Sequence, residues 1–122
     1  MFNLRILVVE DTPENMDLMC LLLEQEGHQI YKAYDGVSGL ETAYQQQPDL
    51  ILLDLALPEK DGWKVAEELK ADIITKSIPI VAISAHSNQL FKEKAFQAGC
   101  DGFIPKPFSL TAFKEEINRF LY

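Results

Sequence analysis

The chain has 122 residues, 48% of them hydrophobic, which is the size and apolar content of one domain with a buried core. Acidic residues outnumber basic ones by 19 to 11, and the formal net charge of −8 disfavours binding to nucleic acid or to an anionic membrane. No apolar run suits a membrane span or a secretory signal, so we expect one cytoplasmic domain over residues 1–122. Cys20 and Cys100 lack zinc-site or disulfide-framework spacing and are expected to be free buried thiols.

The first part of the chain alternates between strand and helix patterns. Residues 4–9 are apolar and rich in β-branched side chains, and they predict a strand that ends in Glu10 and Asp11. Thr12 followed by Pro13 is typical of a helix N-cap with proline at the first helical position. Apolar residues at helical spacing then indicate a first helix through Met16, Met19, Cys20 and Leu23 and, after a weaker strand at 29–34, a second helix through Val37, Leu40 and Tyr44.

The most apolar run of the sequence lies at its centre. Residues 50–53 are too few for a helix, and consecutive apolar side chains are typical of a strand that is buried on both faces of a parallel sheet. Asp54 stands at the carboxyl end of this strand, where open α/β sheets bind their ligands.

The second half continues the alternation. A strand over 78–83 ends at Ser84, a helix is predicted over 88–98, and a short strand over 102–104 leads to Lys106. The third and fifth helices are indicated by apolar residues at helical spacing, Val65, Ala66 and Leu69 in the third and Leu110, Phe113, Ile117 and Phe120 in the fifth.

Five alternations of strand and helix with short connections predict a flavodoxin-like α/β fold with a doubly wound parallel sheet. The usual order of strands in a five-stranded sheet of this kind is 2-1-3-4-5. Right-handed crossovers then place the first and fifth helices on one face of the sheet and the second to fourth on the other.

Polar side chains accumulate where these strands end: Glu10 and Asp11 after the first, Asp54 after the third, Ser84 after the fourth and Lys106 after the fifth. Three carboxylates about 4 to 5 Å apart would repel by roughly 3 to 4 kcal/mol per pair at an effective dielectric near 20. A hard divalent cation with oxygen ligands relieves this repulsion, so the pattern predicts a Mg²⁺ site.

The same residues also indicate a site for a phosphoryl group. Lys106 offers a point charge and Ser84 a hydroxyl donor to phosphate oxygens, and the Asp54 carboxylate is a candidate nucleophile. Taken alone, Asp54 would more commonly be a turn or cap residue. Glu10 and Asp11 alone would complement the dipole of the first helix. Because these residues converge at one edge of the sheet, a chemical role is favoured over the structural roles. By contrast, His28 and His86 are expected to face solvent rather than to bind a ligand.

Several short segments carry a family resemblance. In VVEDTPEN, LILLDLALPEKDG, VAISA and GFIPKPF, in this order and spacing, the chain resembles the receiver domain of bacterial two-component response regulators, of the single-domain chemotaxis and phosphorelay type. The resemblance implies that Asp54 is the phosphoacceptor and that Lys106 contacts the phosphoryl group. It also implies that Mg²⁺ is bound by Glu10, Asp11, Asp54 and the backbone carbonyl of Ala56.

The resemblance extends to the residues that would switch the domain. It implies that Ser84 is the switch hydroxyl, that Phe103 is the switch aromatic residue, and that the bond between Lys106 and Pro107 is cis. Ser84 replaces the commoner threonine, and Phe103 lacks the hydroxyl of the commoner tyrosine. Asn15, four residues after the acidic pair, is similar to the receivers of hybrid kinases and phosphorelays.

The predicted function is a phosphoacceptor signalling module rather than an enzyme. Asp54 would accept a phosphoryl group from a phosphohistidine of a histidine kinase or a histidine phosphotransfer protein. The resemblance implies that a downstream protein binds the face formed by the fourth helix, the fifth strand and the fifth helix, and neither nucleic acid nor a membrane is an expected partner. That face is expected to combine basic and aromatic side chains, Phe91, Lys92, Lys94, Phe96, Lys114 and Arg119.

Three other functions stay open. A Mg²⁺-dependent phosphohydrolase of the haloacid dehalogenase type would use Asp54 as its nucleophile, but its second acid would stand where this chain has Ala56. A flavodoxin-like FMN carrier needs a phosphate loop rich in serine and threonine in the place of Glu10 and Asp11. The chain also fits the receiver piece of a hybrid histidine kinase.

Overall fold

Strands and helices alternate along the chain, of which the computed structural model describes residues 3–57, 61–86 and 88–120. The strands are β1 (Arg5–Val9), β2 (Gln29–Ala33), β3 (Leu50–Asp54), β4 (Ile80–Ser84) and β5 (Gly102–Pro105). The helices are α1 (Pro13–Gln25), α2 (Gly36–Gln46), α3 (Gly62–Ala71), α4 (Gln89–Gln97) and α5 (Leu110–Asn118). None of these helices is long and apolar enough to cross a membrane.

The five strands form one parallel sheet in the order β2-β1-β3-β4-β5, as predicted. The register pairs Val9 with Leu53, Asp54 with Ile83, and Ser84 with Pro105. All the strands therefore end at one side of the sheet, which we call the carboxyl edge, and begin at the opposite side, which we call the amino edge.

Two hydrophobic cores lie on the two faces of the sheet. Successive residues of β3 point alternately into them, and all five are buried, so the prediction of a strand buried on both faces is confirmed. One core includes residues of α1 and α5, and the other includes residues of α2, α3 and α4, which confirms the predicted helix distribution. Cys20 and Cys100 belong to different cores, and both are free thiols.

Some details of the helices and strands differ from the sequence-based expectations. The buried side of α2 was predicted to include Val37, which is 48% exposed. The helix instead packs close to the sheet through Gly39, where a Cβ atom would lie only 3.0 Å from a methyl carbon of Val9. In α5, Leu110 is 55% exposed, because the buried side of that helix is formed by Phe113 and Ile117. Finally, β4 begins at Ile80, two residues later than predicted.

The amino edge is closed by a lysine whose donors are all used. Lys70, near the end of α3, donates to the carbonyls of Lys76 at 3.3 Å and Ile78 at 2.9 Å and to Asp101 Oδ2 at 2.9 Å. The same Asp101 oxygen accepts the backbone N–H of Ile80 at 2.9 Å, at the start of β4. One cation and one carboxylate thus neutralise each other while they bind the loops before β4 and β5.

His28 also lies at the amino edge, and the expectation that it faces solvent is wrong. The residue is only 7% exposed, and its Nδ1 accepts the backbone N–H of Leu4 at 3.0 Å. Burial disfavours the imidazolium ion and lowers the pKa of His28 below its ordinary value of 6.5, although nearby Glu26 opposes this shift. The histidine therefore works as a neutral hydrogen-bond acceptor that fixes the chain before β1.

Candidate functional site

The ends of four strands bring the predicted polar residues together at the carboxyl edge. Glu10 follows β1, Asp54 is the last residue of β3, and Ser84 is the last residue of β4. The backbone N–H of Lys106, just after β5, donates to the carbonyl of Ser84 at 2.8 Å. This bond continues the sheet by one residue and directs the lysine back across β4 and β3.

Lys106 is the centre of the site. Its Nζ atom donates to Glu10 Oε1 at 2.8 Å and to Asp54 Oδ2 at 2.9 Å. The second oxygen of Asp54, Oδ1, accepts the backbone N–H of Ala56 at 2.9 Å. Both carboxylate oxygens of Asp54 are thus held, so the side chain is fixed in one orientation while only 3% of the residue is exposed.

Burial controls the ionisation of Glu10, which is completely inaccessible to solvent. Burial raises the pKa of the Glu10 carboxyl to about 7 from its ordinary 4.5; Lys106 opposes this shift and Asp54 adds to it. Burial alone would lower the pKa of Lys106, but its hydrogen bonds to Glu10 and Asp54 raise that pKa instead. Lys106 therefore stays charged, whereas the Glu10 carboxyl takes up a proton as pH falls below about 7.

The other oxygen of Glu10, Oε2, accepts the backbone N–H of Thr12 at 3.1 Å. Thr12 occupies the predicted N-cap position of α1, but its own side chain makes no capping bond. The acid rather than the threonine therefore orders the turn that leads into α1.

The carboxylates of Glu10, Asp11 and Asp54 form a cluster that suits a hard cation. One oxygen from each lies within 4.8 Å of the others, and the cluster contains no nitrogen or sulfur ligand. Lys106 balances only one of the three negative charges that the ionised cluster carries. Ala56, whose carbonyl is the further predicted ligand, is exposed two residues after Asp54. The donor set and the uncompensated charge fit Mg²⁺.

The two predicted switch residues lie on neighbouring strands, Ser84 at the end of β4 and Phe103 in β5. Ser84 is 2% exposed, and its Oγ accepts the backbone N–H of His86 at 3.0 Å. Phe103 is half-buried on β5, where its ring lies 5.9 Å from Lys92 Nζ and its N–H donates to Glu116 at 3.0 Å. The bond between Lys106 and Pro107 is cis, as the family resemblance implied.

The predicted basic and aromatic face of α4, β5 and α5 is smaller than expected. Lys92 and Arg119 do lie beside it, at the ring of Phe103 and in a cavity of about 440 Å³ between β5 and α5. Lys94 instead lies 4.2 Å from the centre of the Trp63 ring in α3, and Lys114 pairs with Glu26 beyond the end of α1 at 3.3 Å. Helical rotation separates these lysines, which composition alone could not show.

One cluster beside the site was missed by the sequence analysis. The ring of His86 stacks on Phe91 with centroids 4.8 Å apart, and Phe91 stacks on Trp63 at 5.6 Å. We call these three residues the aromatic column. No short motif links them, because Trp63 is in α3, Phe91 is in α4, and His86 is in the loop between β4 and α4.

The fold and this arrangement of strand-end residues are those of a response regulator receiver domain. The family model for that domain matches residues 6–118, so the chain belongs to this family.

Individual relatives extend the comparison. The chain is 36% identical over 116 residues to the polar-differentiation response regulator DivK of Brucella anthropi, a match that covers 95% of this chain and 94% of DivK. It is 37% identical over 117 residues to the DNA-binding dual master transcriptional regulator RpaA of Synechocystis sp., covering 96% of this chain but only 48% of RpaA. The chain thus spans about half the length of that relative and nearly all of DivK.

A solved structure shares the fold along nearly its whole length. The receiver domain of the sensor histidine kinase PA1611 from Pseudomonas aeruginosa superposes with a TM-score of 0.89 and 30% identity, and the match covers 98% of each chain. That structure has a magnesium ion coordinated in its active-site cleft.

Proposed function

We propose that the protein is a phosphoacceptor signalling module, which accepts a phosphoryl group on Asp54 from a phosphohistidine and thereby switches its binding to a partner. One observation carries the proposal: Asp54 is buried and fixed in orientation, with Lys106 Nζ 2.9 Å from one of its oxygens, inside an acidic cluster. A purely structural ion pair would not need two further carboxylates, which add repulsion without adding a bond to Asp54.

The chemistry follows from these contacts. A carboxylate oxygen of Asp54 forms a bond to phosphorus, the bond between phosphorus and the donor imidazole breaks, and the imidazole leaves with the electron pair and takes up a proton. Lys106 places positive charge beside the phosphoryl oxygens, and the backbone N–H of Ala56 keeps the carboxylate from rotating. Mg²⁺ held by Glu10, Asp11 and Asp54 would supply the charge that lets an anionic donor approach these acids.

A groove beside Lys106 is a suitable place for a phosphohistidine protein to bind. It has a volume of about 330 Å³ and lies between the start of α1 and the chain after β5. Its lining is mostly apolar and consists of Asn15, Leu18, Ala85, Lys106, Pro107 and Phe108. Leu18 is 43% exposed there, so a donor helix would cover apolar surface while its histidine reached Asp54.

The first test is labelling with a small phosphodonor. Wild type incubated with phosphoramidate and Mg²⁺ should gain the mass of one phosphoryl group, and Asp54→Asn should gain none. Asp61→Asn is the matched control, because Asp61 is an exposed carboxylate at the start of α3 and should leave labelling unchanged. Equal labelling of wild type and Asp54→Asn would exclude Asp54 as the acceptor.

The second test separates docking from chemistry. Leu18→Glu should slow transfer from a phosphorylated histidine phosphotransfer domain while leaving labelling by phosphoramidate unchanged, because the small donor needs no apolar groove. Leu21→Glu is the control, since Leu21 is 56% exposed on the same helix and does not line the groove. A Leu18→Glu variant that accepts the group from the protein donor at the wild-type rate would show that donors bind elsewhere.

The module is proposed to act by stoichiometric transfer in the cytoplasm rather than by turnover. Ala56 offers no acid two residues after the nucleophile, so hydrolysis of phosphate esters lacks the second carboxyl of the dehalogenase-type enzymes. The downstream partner is proposed to bind the face of α4, β5 and α5, where the cavity next to Phe103 provides an apolar anchor point. Repeated hydrolysis of a phosphate ester, with more than one phosphate released per protein molecule, would contradict this view.

A further inference from the structure

The aromatic column reaches from the surface of α3 to the edge of the site. Its inner end is His86, whose backbone N–H donates to the Ser84 hydroxyl at 3.0 Å, and its outer end is Trp63, whose ring is covered by Lys94. Phe91 in the middle lies in the first turn of α4, where its own N–H is bound by the side chain of Asn88. The contacts form an unbroken chain from Ser84 to a helix surface that is separate from β5.

The column restrains the loop that carries His86. The rings of His86 and Phe91 are tilted by 18° and those of Phe91 and Trp63 by 26°, so both pairs are stacked. Such stacking adds stabilisation beyond the burial of apolar area, and here it fixes His86 relative to two helices. Because the ring and the backbone of His86 belong to one residue, fixing the ring also restrains the backbone N–H. This N–H in turn holds the Ser84 hydroxyl at the end of β4.

A cavity lies on the side of the aromatic column that faces Ser84. A cavity of about 240 Å³ lies between the column and the site, lined by Leu55, Ala56, Trp63, Ser84, His86 and Phe91. The indole Nε1 of Trp63 is buried and has no hydrogen-bond acceptor among the described residues. The rings are therefore packed against one another on one side and face this cavity on the other.

We propose that Phe91 and Trp63 are positioning residues, which hold the Ser84 hydroxyl in its resting arrangement through His86. The Ser84 oxygen accepts the His86 N–H, and a rotation of the side chain that carries this oxygen toward a phosphoryl group on Asp54 breaks that bond, so the column resists the rotation. The proposal rests on the proposed function, since it presumes a phosphoryl group at Asp54. Weakening the column then favours the phosphorylated state without altering any group that touches the phosphoryl oxygens.

The test uses beryllofluoride with Mg²⁺ as a phosphoryl analogue, with affinities measured by titration calorimetry. Phe91→Leu keeps an apolar side chain but removes both stacked pairs, and we expect it to bind the analogue roughly two- to tenfold more tightly than wild type. Phe96→Leu is the matched control, because Phe96 is on the same helix and is 48% exposed, and it should bind like wild type. Unchanged or weaker binding by Phe91→Leu would overturn the proposal.

A merely structural effect is distinguished by repeating the comparison without the hydroxyl. In the Ser84→Ala background, Phe91→Leu should no longer change the affinity, because the bond through which the column acts is gone. The same gain in both backgrounds would show that Phe91 acts by another route.

Trp63 provides an independent readout, because it is the one tryptophan of the chain. Its fluorescence should change when wild type is saturated with the analogue, and the change should be lost in saturated Ser84→Ala. A change of full size in Ser84→Ala would overturn the coupling. Wild type that neither binds the analogue nor labels at Asp54 would remove the proposed function as well, whereas normal labelling with unresponsive column variants would remove the column alone.

Discussion

The two edges of the sheet each hold the amino group of a lysine among oxygen atoms, but they balance charge differently. At the amino edge, Lys70 meets two carbonyls and the single carboxylate of Asp101. At the carboxyl edge, Lys106 bridges Glu10 and Asp54, and Asp11 lies within the same cluster. One carboxylate neutralises Lys70, whereas the three carboxylates around Lys106 carry more negative charge than this lysine balances.

This difference separates a structural ion pair from a site. A neutral arrangement such as that of Lys70 contributes to the fold whatever the solution contains, since nothing more is needed to satisfy it. An arrangement with excess negative charge destabilises the native state until a cation joins it, and its stability therefore depends on ligands and pH. The carboxyl edge keeps this excess where a phosphoryl group and its metal would bind.

The largest expected contrast is in the pH dependence of the free energy of unfolding. Because the pKa of Glu10 is raised to about 7 from 4.5, the native state retains a proton that the unfolded state has lost between these values. Stability should therefore fall as pH rises from about 5 to 8, by about 2 to 3 kcal/mol without Mg²⁺. Urea unfolding at several pH values measures this.

Glu10→Gln should remove that loss, because the amide does not ionise. Glu14→Gln, an exposed acid in the first turn of α1, should keep the wild-type profile. A Glu10→Gln profile that falls as steeply as wild type would assign the titration to another group.

Next in size is the loss of the neutral pair at the amino edge. Lys70→Met removes three hydrogen bonds, while the lost ion pair with the exposed Asp101 adds little, so it should cost about 2 kcal/mol of stability. This loss should be the same with and without Mg²⁺ in thermal unfolding. Lys76→Met, at an exposed position in the adjacent loop, should cost less than about 0.5 kcal/mol. A Lys70→Met defect that Mg²⁺ repaired would break the distinction between the two edges.

Mg²⁺ itself should stabilise the carboxyl edge. At a concentration ten times the dissociation constant, binding to the native state alone adds about 1.4 kcal/mol. Asp11→Ala should abolish this gain in melting temperature, because it removes a ligand and part of the repulsion, whereas Asp17→Ala on the exposed side of α1 should retain it. If Mg²⁺ has no effect on wild type and Asp11→Ala is less stable, the acids serve the fold alone.

The smallest expected effect has the opposite sign and lies at the amino edge. The pKa of His28 is lowered by burial, so the unfolded state binds a proton first as pH falls, and stability should decrease below about pH 6.5. The loss is best seen in the Glu10→Gln background, where the opposing titration is absent. Adding His28→Gln should flatten the acidic limb, and adding His86→Gln should leave it in place. A limb that responded only to His86→Gln would show that the Leu4 contact is not the cause.

The order of the elements and the residues at the strand ends could be predicted from the sequence alone. The apolar run of β3 specifies a strand buried on both faces, because no other element of that length buries consecutive side chains. Since parallel strands end at one edge, the same pattern placed Glu10, Asp54 and Ser84 together before any contact was known. Local periodicity and turn residues suffice for such statements, as they describe the state of the backbone near each residue.

Only the tertiary structure decided which side chains touch. Lys106 and Glu10 are 96 residues apart, and their 2.8 Å contact depends on how β5 pairs with β4. The close approach of α2 at Gly39, the burial of His28 and the stacking of Phe91 between two rings arise in the same way, from packing distances between elements. Sequence patterns record whether a side chain is apolar or charged, but the balance of charge at each edge depends on distances of a few ångströms that only the packed chain sets.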